Sequence, residues 1–458
     1  MTRQRKSPLF CFSRAFRLVF RTETKQTVLL LNLLAIYALF TLKSLRGVSV
    51  FAQTARTGGV EDFLAPHVDF CGHELLHSYA RWHQREVLKL NNDCSTTTNA
   101  KLLVYTCQAG QLCGGLGDRL SGIISVFFLA VAMKRVFLID YSDPVSLNAT
   151  LIPNVFQWNI DTINRPCLRG LESNKSISLN GIDSLSTKSL LEEIFDAHKG
   201  GVPSIRIQLN RYHCSMALWE GSRSFVHPYV GMLHKKAGCS KNVTAETTFK
   251  YAFSTLFRFS KRVHERSNEI ANVLGLTNKV SAKILPFVGV HARIGGGEWN
   301  DPLRHRLDQL NEFLDCANSK RRLVRTSMQA LSQERTFDPG EIPIVIFSDS
   351  AEFKLAAVAA DAHVKTFNSS LIHIDKSSSS DKVPQGNIDA FAEIYLLSQA
   401  LCIVGSSSTF SGVAGALQRE EGFCFSQFSS CHEGHWDYFH EDEKHKLESF
   451  RSAGLELT

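Results

Sequence analysis

Residues 102–140 read LLVYTCQAGQLCGGLGDRLSGIISVFFLAVAMKRVFLID. Leu102–Tyr105 (LLVY) is an apolar run of strand length. Cys113–Gly117 is a glycine-rich turn. Leu120–Met133 carries apolar residues at helical spacing, and Val136–Asp140 (VFLID) is a second buried strand. Strand, glycine turn, helix and strand within about 40 residues make a βαβ unit, which implies a parallel sheet.

The same alternation returns further on. Ile284–His291 (ILPFVGVH) reads as a strand that ends at a polar cluster. Ile344–Phe347 (IVIF) ends at Ser348-Asp349-Ser350, Asp389–Ala400 is a helix pattern, and Leu401–Val404 (LCIV) ends at Gly405–Ser411, GSSSTFS. Polar residues gather where each strand ends, and open α/β sheets bind ligands there. The predicted class is α/β, with two Rossmann-like domains facing a cleft, preceded by an N-terminal transmembrane helix. The expected boundaries are an acceptor-side domain at 101–280, a donor-side domain at 281–440 and a tail at 441–458. Residues 46–100 are expected to be a stem with some local structure. The less regular middle, 150–275, is expected to supply acceptor-side loops and helices, and Ser377–Ser380 is a small low-complexity loop.

A chain of 458 residues is too long for one compact core. With 44 % hydrophobic and 21 % charged residues it is globular in composition. The net charge of +7 is unevenly placed, because residues 1–26 hold Arg3, Arg5, Lys6, Arg14, Arg17, Arg21 and Lys25 against Glu23, leaving +1 for the rest. The basic balance therefore belongs to a tail and does not describe a nucleic-acid surface.

That tail runs into Thr27–Leu42, TVLLLNLLAIYALFTL, sixteen residues without a charge. A full span takes roughly 20 apolar residues, and a snorkelling Lys43 extends this one to 27–45. The strongly basic flank before it places the N-terminus in the cytosol and the body in the lumen, a type II anchor in a Golgi or ER membrane. A cleaved signal peptide, a mitochondrial leader and a buried core helix are the competing readings. Eleven of the twelve cysteines follow the span with no CxxC pair, which suits disulfides better than zinc and leaves the pairing open. Sequons follow it too, at Asn148, Asn174, Asn242 and Asn368.

The strand-end motifs carry the chemistry. His291-Ala292-Arg293-Ile294-Gly295-Gly296-Gly297-Glu298 places an arginine fork beside three glycines. A diphosphate leaving group gathers negative charge as its sugar bond breaks, and either a metal or an arginine can stabilise it. The glycines let backbone N–H groups approach the same oxygens, and His291 can hydrogen-bond a ribose or phosphate oxygen. A plain salt bridge beside a flexible turn fits the composition equally well. In GSSSTFS, hydroxyls and free N–H groups at a helix start form either an anion seat or an ordinary serine cap. Asp349 either accepts the paired N–H groups of a guanine or caps a helix. Gly114-Gly115-Leu116-Gly117-Asp118-Arg119-Leu120 is neither a dinucleotide fingerprint nor a P-loop, and Asp118 either meets a ligand or caps its helix.

Taken together, these motifs resemble the superfamily of α1,2-, α1,6- and protein O-fucosyltransferases. GGLGDRL followed by RVFLID, then HARIG, then DAFAEIYLLSQALCIVGSSSTFS are similar to that family in order and spacing across Leu102–Gln418. The resemblance implies a GT-B fold, GDP-fucose as donor bound by the 281–440 domain, inversion at the anomeric carbon, no metal and no cofactor. It implies that Arg293 holds the β-phosphate and that His291 and Asp349 hold the nucleoside. Ser407, Ser408, Thr409 and Phe410 would line the donor pocket, with Gly295, Gly115, Gly117, Asp118 and Arg119 also on the donor. The acid that usually follows HxRxG is replaced by Gly296, so Glu298 and Asp301 are the candidate bases, unless each is a solvated loop carboxylate. The expected acceptor is a glycan or glycoprotein hydroxyl. A GT-B enzyme with another nucleotide-sugar donor, and an inactive glycan- or peptide-binding relative, are the alternatives.

Overall fold

The structure is a computed structural model that describes residues 73–92, 101–108, 111, 113–173, 176–180, 187–208, 245–278, 283–296, 303–331, 342–368, 383–406, 408–418, 424–428 and 431. The expected membrane span at 27–45 and the tails lie outside these residues. Contacts divide the chain into two units. In the unit made of 1–63 and 327–336, only 327–331, the end of a helix, are described. The unit made of 64–326 and 337–458 holds all three sheets of the described residues.

The first half runs α1 (His73–Asn92), β1 (Leu102–Cys107), α2 (Leu116–Met133), β2 (Val136–Tyr141), β3 (Leu151–Pro153), α3 (Arg165–Ser173), β4 (Ser176–Asn180), α4 (Thr187–Lys199), β5 (Ser204–Gln208), α5 (Ala245–Leu256), β6 (Phe257–Phe259) and α6 (Lys261–Val273). Its sheet has the order β2-β1-β5-β4, all parallel, and β3 pairs with β6 antiparallel. Strand β1 is sealed on both faces, as an inner parallel strand must be. On one face, Val87 and Leu90 of α1 share a core with Leu102, Val104, Val136 and Leu138. Helix α2 is apolar all round, and it is long enough to cross a membrane by composition. It is instead a core helix, with 89 % of its length buried inside the protein.

Two expectations are corrected here. Residues 73–92 belong to the folded body rather than to a stem, since Leu76, Tyr79, Ala80, His83, Val87 and Leu90 are buried. The irregular middle contains β4 and β5, half of the first sheet. Edge strand β4 (SISLN) and inner strand β5 (SIRIQ) both alternate polar and apolar residues and lack the continuous apolar run of β1.

The second half runs β7 (Val288–Ala292), α7 (Leu310–Leu331), β8 (Ile344–Ser348), α8 (Ala351–Ala360), β9 (Val364–Thr366), α9 (Val383–Leu397), β10 (Cys402–Gly405), α10 (Thr409–Ala416) and β11 (Cys424–Gln427). The sheet order is β11-β10-β7-β8-β9, again all parallel. The strand expected at Ile284 begins at Val288, because Ile284 makes only an isolated bridge to Thr277. Helix α9 begins before Asp389, with Pro384 in its first turn, where a missing N–H costs nothing.

The halves are strapped together. Helix α6 lies along α9, and Arg266 of α6 reaches Asp389 of α9 at 2.7 Å. Lys250 donates to the Gln418 carbonyl. Disulfides join Cys107 to Cys113, Cys316 to Cys431, and Cys402 to Cys424. The last of these links register partners at the start of β10 and β11. Of the sequon asparagines, Asn148 is partly exposed and Asn368 exposed, while Asn174 and Asn242 lie outside the described residues.

Close packing gives a test. A Cβ on Gly289 of β7 would run into Leu397 Cδ1 and stand 3.1 Å from Ala400 Cβ. Overpacking of this kind costs about 1–3 kcal/mol. Gly289→Val should lower the Tm of the full chain by several degrees, read by circular dichroism. Gly170→Ala, where a Cβ meets nothing within 4 Å, should leave it unchanged or slightly raised.

Candidate functional site

Arg293 follows directly on β7. Next come Ile294, then Gly295 and Gly296 at φ 72° and 70°. Two successive left-handed residues are natural only for glycine, and they curl the loop back on itself. Its N–H groups then point inward at one carboxylate. Ile294 donates to Asp349 Oδ1 at 2.7 Å and Gly295 to Asp349 Oδ2 at 3.0 Å. The Arg293 guanidinium pairs with the same Oδ2 at 2.9 Å. Asp349 thus accepts two N–H bonds side by side, as its position suggested, but they come from the chain itself. It positions the loop and Arg293. It does not cap α8, whose cap is Ser350, accepting from the Phe353 N–H.

A second bracket holds the loop from the β10 side. Ser406 Oγ accepts the Arg293 N–H at 2.9 Å, and the Ser406 N–H donates to the His291 carbonyl at 2.8 Å. Ser348 donates to the Ala292 carbonyl at 2.7 Å. The ends of β7, β8 and β10 are therefore cross-braced around Arg293.

His291 is buried, and its ring stacks on Phe410 with centroids 4.7 Å apart. Its Nδ1 is sealed from solvent without a hydrogen-bond partner among the described residues. Burial pushes its pKa down to about 4, the Asp349 charge opposing and the Arg293 charge assisting. It is a neutral imidazole at pH 7.

Phe410 lies in the first turn of α10. Ser408 caps that helix by accepting the Phe410 N–H, and Ser411 donates back to the Ser406 and Ser408 carbonyls. The N-terminal turn of α10 packs against that of α2. A Cβ on Gly117 would stand 2.5 Å from the Thr409 carbonyl carbon, so only glycine permits the approach. Thr409 donates to Asp118 Oδ1 at 2.9 Å. The N-terminal turns of both helices thus converge at one junction, each carrying the partial positive charge of a helix start.

Arg119 does not join this group. It is fully buried, donating to the Gly114 carbonyl, the Tyr141 hydroxyl and the Asp143 carbonyl, and its guanidinium pairs with the Asp143 carboxylate at 3.6 Å. Its role is to hold the glycine turn, and the Cys107–Cys113 disulfide closes the same loop. Gly115 is the residue before α2, with a Cβ position 3.3 Å from Asp118 Oδ2. Glu298, Asp301 and Ser407 lie outside the described residues. Among the described residues, Cys107, Cys113 and Asp143 cluster closely enough to suggest a metal, but the two sulfurs are joined as a disulfide and offer no thiolate.

The structure adds residues that the sequence did not single out. Ser406 is indistinguishable by sequence from the serines beside it. Lys354 is buried, donates to the Phe367 carbonyl and is pushed down in pKa by burial, against the pull of Glu393 and Asp349. Glu393 and Asn387 on α9 are buried, and both polar atoms of the Asn387 amide lack partners among the described residues. Buried polar groups on an apolar helix face were the available signal.

Comparison with known proteins adds three solved structures. An Arabidopsis thaliana FUT1 mutant in complex with GDP is 16 % identical, covering 77 % of this chain and 78 % of its own, with a TM-score of 0.48. Fucosyltransferase NodZ from Bradyrhizobium is 12 % identical, with 69 % and 94 % covered and a TM-score of 0.39. POFUT1 in complex with GDP-fucose is 13 % identical, with 72 % and 98 % covered and a TM-score of 0.37. No family model and no curated protein matches the chain.

The buried imidazoles set an acid limit. His83, buried in α1, is also pushed down by burial to about 4. An unfolded histidine takes up its proton near 6.5. Stability should therefore be full above about pH 6.5 and fall as the pH drops towards 4, by roughly 3 kcal/mol per histidine. Urea midpoints measured across that range should show the slope, and His83→Gln should reduce it.

Proposed function

We propose that this chain is a type II membrane fucosyltransferase of GT-B architecture. It transfers L-fucose from GDP-fucose to a hydroxyl of a glycan or protein acceptor, with inversion. The observation that carries the reading is Arg293, fixed by Asp349 at a strand end, beside the stacked His291–Phe410 pair and two converging helix N-termini.

A donor diphosphate is what such an arrangement accommodates. The convergent N–H groups of α2 and α10 and the Arg293 guanidinium supply positive charge fixed before the reaction begins. As the bond from fucose to phosphate breaks, charge grows on the leaving GDP, and a preorganised arginine stabilises it more than it stabilises the ground state. Neutral His291, stacked on Phe410, would face the nucleoside through the part of its ring left exposed. The acceptor hydroxyl attacks from the opposite side, which inverts the anomeric centre. Glu298 and Asp301, next along the chain from Gly296, are the proposed acceptors of its proton. The uncharged span at 27–45 would anchor the protein in a Golgi or ER membrane with the body lumenal.

One observation favours a second reading. Asp349, the residue expected to read guanine, has both oxygens engaged by its own chain. That leaves room for a GT-B enzyme with another nucleotide-sugar donor.

Full-length protein in detergent, given GDP-fucose, GDP-mannose and UDP-galactose, separates the two. Turnover of GDP-fucose above the others is the expected result, and preference for the UDP sugar would end the fucose reading. Arg293→Ala should lower turnover by about 100-fold or more, the usual scale for one transition-state charge stabiliser. Near wild-type turnover in that variant would sink the mechanism.

A further inference from the structure

The carboxyl edge of the first sheet carries a second polar group that the donor reading does not use. Asp140, next to last in β2, accepts from two side chains on one oxygen. Arg206 Nη1 of β5 lies 2.7 Å from its Oδ2, and Gln108 Nε2, just past β1, lies 2.6 Å from the same atom. Oδ1 makes no hydrogen bond among the described residues and is not sealed from solvent. The side chains of Asp140 and Arg206 are 17 % and 19 % exposed, so the pair is sheltered yet open at one point.

Register explains the placement. Thr106 pairs with Asp140, and Val104 with both Leu138 and Arg206. Side chains alternate along a strand, so Thr106, Asp140 and Arg206 share the sheet face that further back carries Leu102, Val104, Val136 and Leu138. The apolar face turns polar at its carboxyl end, where ligands of α/β sheets bind. Gln108 belongs to the loop closed by the Cys107–Cys113 disulfide, which leads into Gly117 and Asp118 at the junction with Thr409. The polar group is thus one short loop from that junction, on the side of the half that does not carry Arg293.

We propose that Asp140, Arg206 and Gln108 form the acceptor subsite, and that its ligand is a neutral oligosaccharide bound through adjacent hydroxyls. The proposal rests on the glycosyltransferase reading above and adds the acceptor class. A carboxylate fixed through one oxygen presents the two lone pairs of the other in a set direction, and adjacent sugar hydroxyls match that pattern. The paired guanidinium offsets the charge, so the subsite favours a neutral sugar, and an anionic one would face the bare Oδ1. Asp140 is here a positioning residue that fixes the attacking hydroxyl. The competing account is an ordinary ion pair that ties β2 to β5 across β1.

The test uses full-length protein and its Asp140→Asn and Gln108→Ala variants. Lactose, N-acetyllactosamine and the N-glycan core pentasaccharide are the glycan probes, read by saturation-transfer NMR without donor and by turnover with GDP-fucose. GDP binding by calorimetry and the Tm are measured alongside. Expected is a rise of about tenfold or more in acceptor KM for Asp140→Asn and a smaller rise for Gln108→Ala. The KM for GDP-fucose, GDP binding and Tm should hold. A fall in Tm with all constants moving together would show the ion pair to be structural and overturn the proposal. So would wild-type protein that binds none of the glycans, or that fucosylates a folded protein domain equally well in both variants. If the wild type binds these glycans through Asp140 but not GDP, the donor reading fails and the subsite stands.

Discussion

The carboxylate of Asp349 is the fixed point of the second half. Three donors converge on it, two from the backbone of Ile294 and Gly295 and one from Arg293. Without it, two glycines in left-handed conformation would leave the loop free to wander, and the guanidinium with it. Charge-assisted bonds are stronger than neutral ones, and here they fix the Arg293 guanidinium in one place. The loop and its arginine are therefore held in place by the chain's own bonds. Ser406 and Ser348 repeat the device from the neighbouring strands with uncharged bonds.

The junction between the halves follows a different rule, that of steric necessity. Gly117 and Thr409 touch so closely that a single methyl group would part them. The Asp118–Thr409 hydrogen bond then gives that contact a register. Two helix starts brought this near would repel through their like-signed ends, and Asp118 in the first turn of α2 supplies the opposing charge.

Much of this was legible in the sequence. Leu102–Asp140 announces a parallel sheet because strands lying between two layers are apolar along most of their length. HARIG and GSSSTFS announce themselves as strand ends, and the structure brings Arg293, His291, Ser408, Thr409, Phe410, Gly117 and Asp118 into one linked group. Other features were not legible, for physical reasons. The strands SISLN and SIRIQ alternate polar with apolar residues and are short, so their pattern looks like loop. Arg119 sits in a motif with a ligand-binding look, yet its donors close on Cys107, Tyr141 and Asp143, partners that no local pattern names. Asp349 does what a carboxylate at a strand end can do, and only the fold shows for whom. Asp140 reads as the last letter of an apolar strand, and its partner Arg206 is far away in sequence.

The strand orders also set a timetable for the ribosome. In the second sheet the first strand made, β7, ends up inside, flanked by strands that arrive later. Strand β7 finishes at Ala292, and its neighbour β10 begins only at Cys402. At about 5–20 residues per second, that leaves an apolar edge unpaired for roughly ten seconds of synthesis. An open strand edge is a template for the wrong partner. Long-range pairings of this kind form slowly, so the β10-facing edge of β7 stays open far longer than the edge of β1 that β2 covers directly.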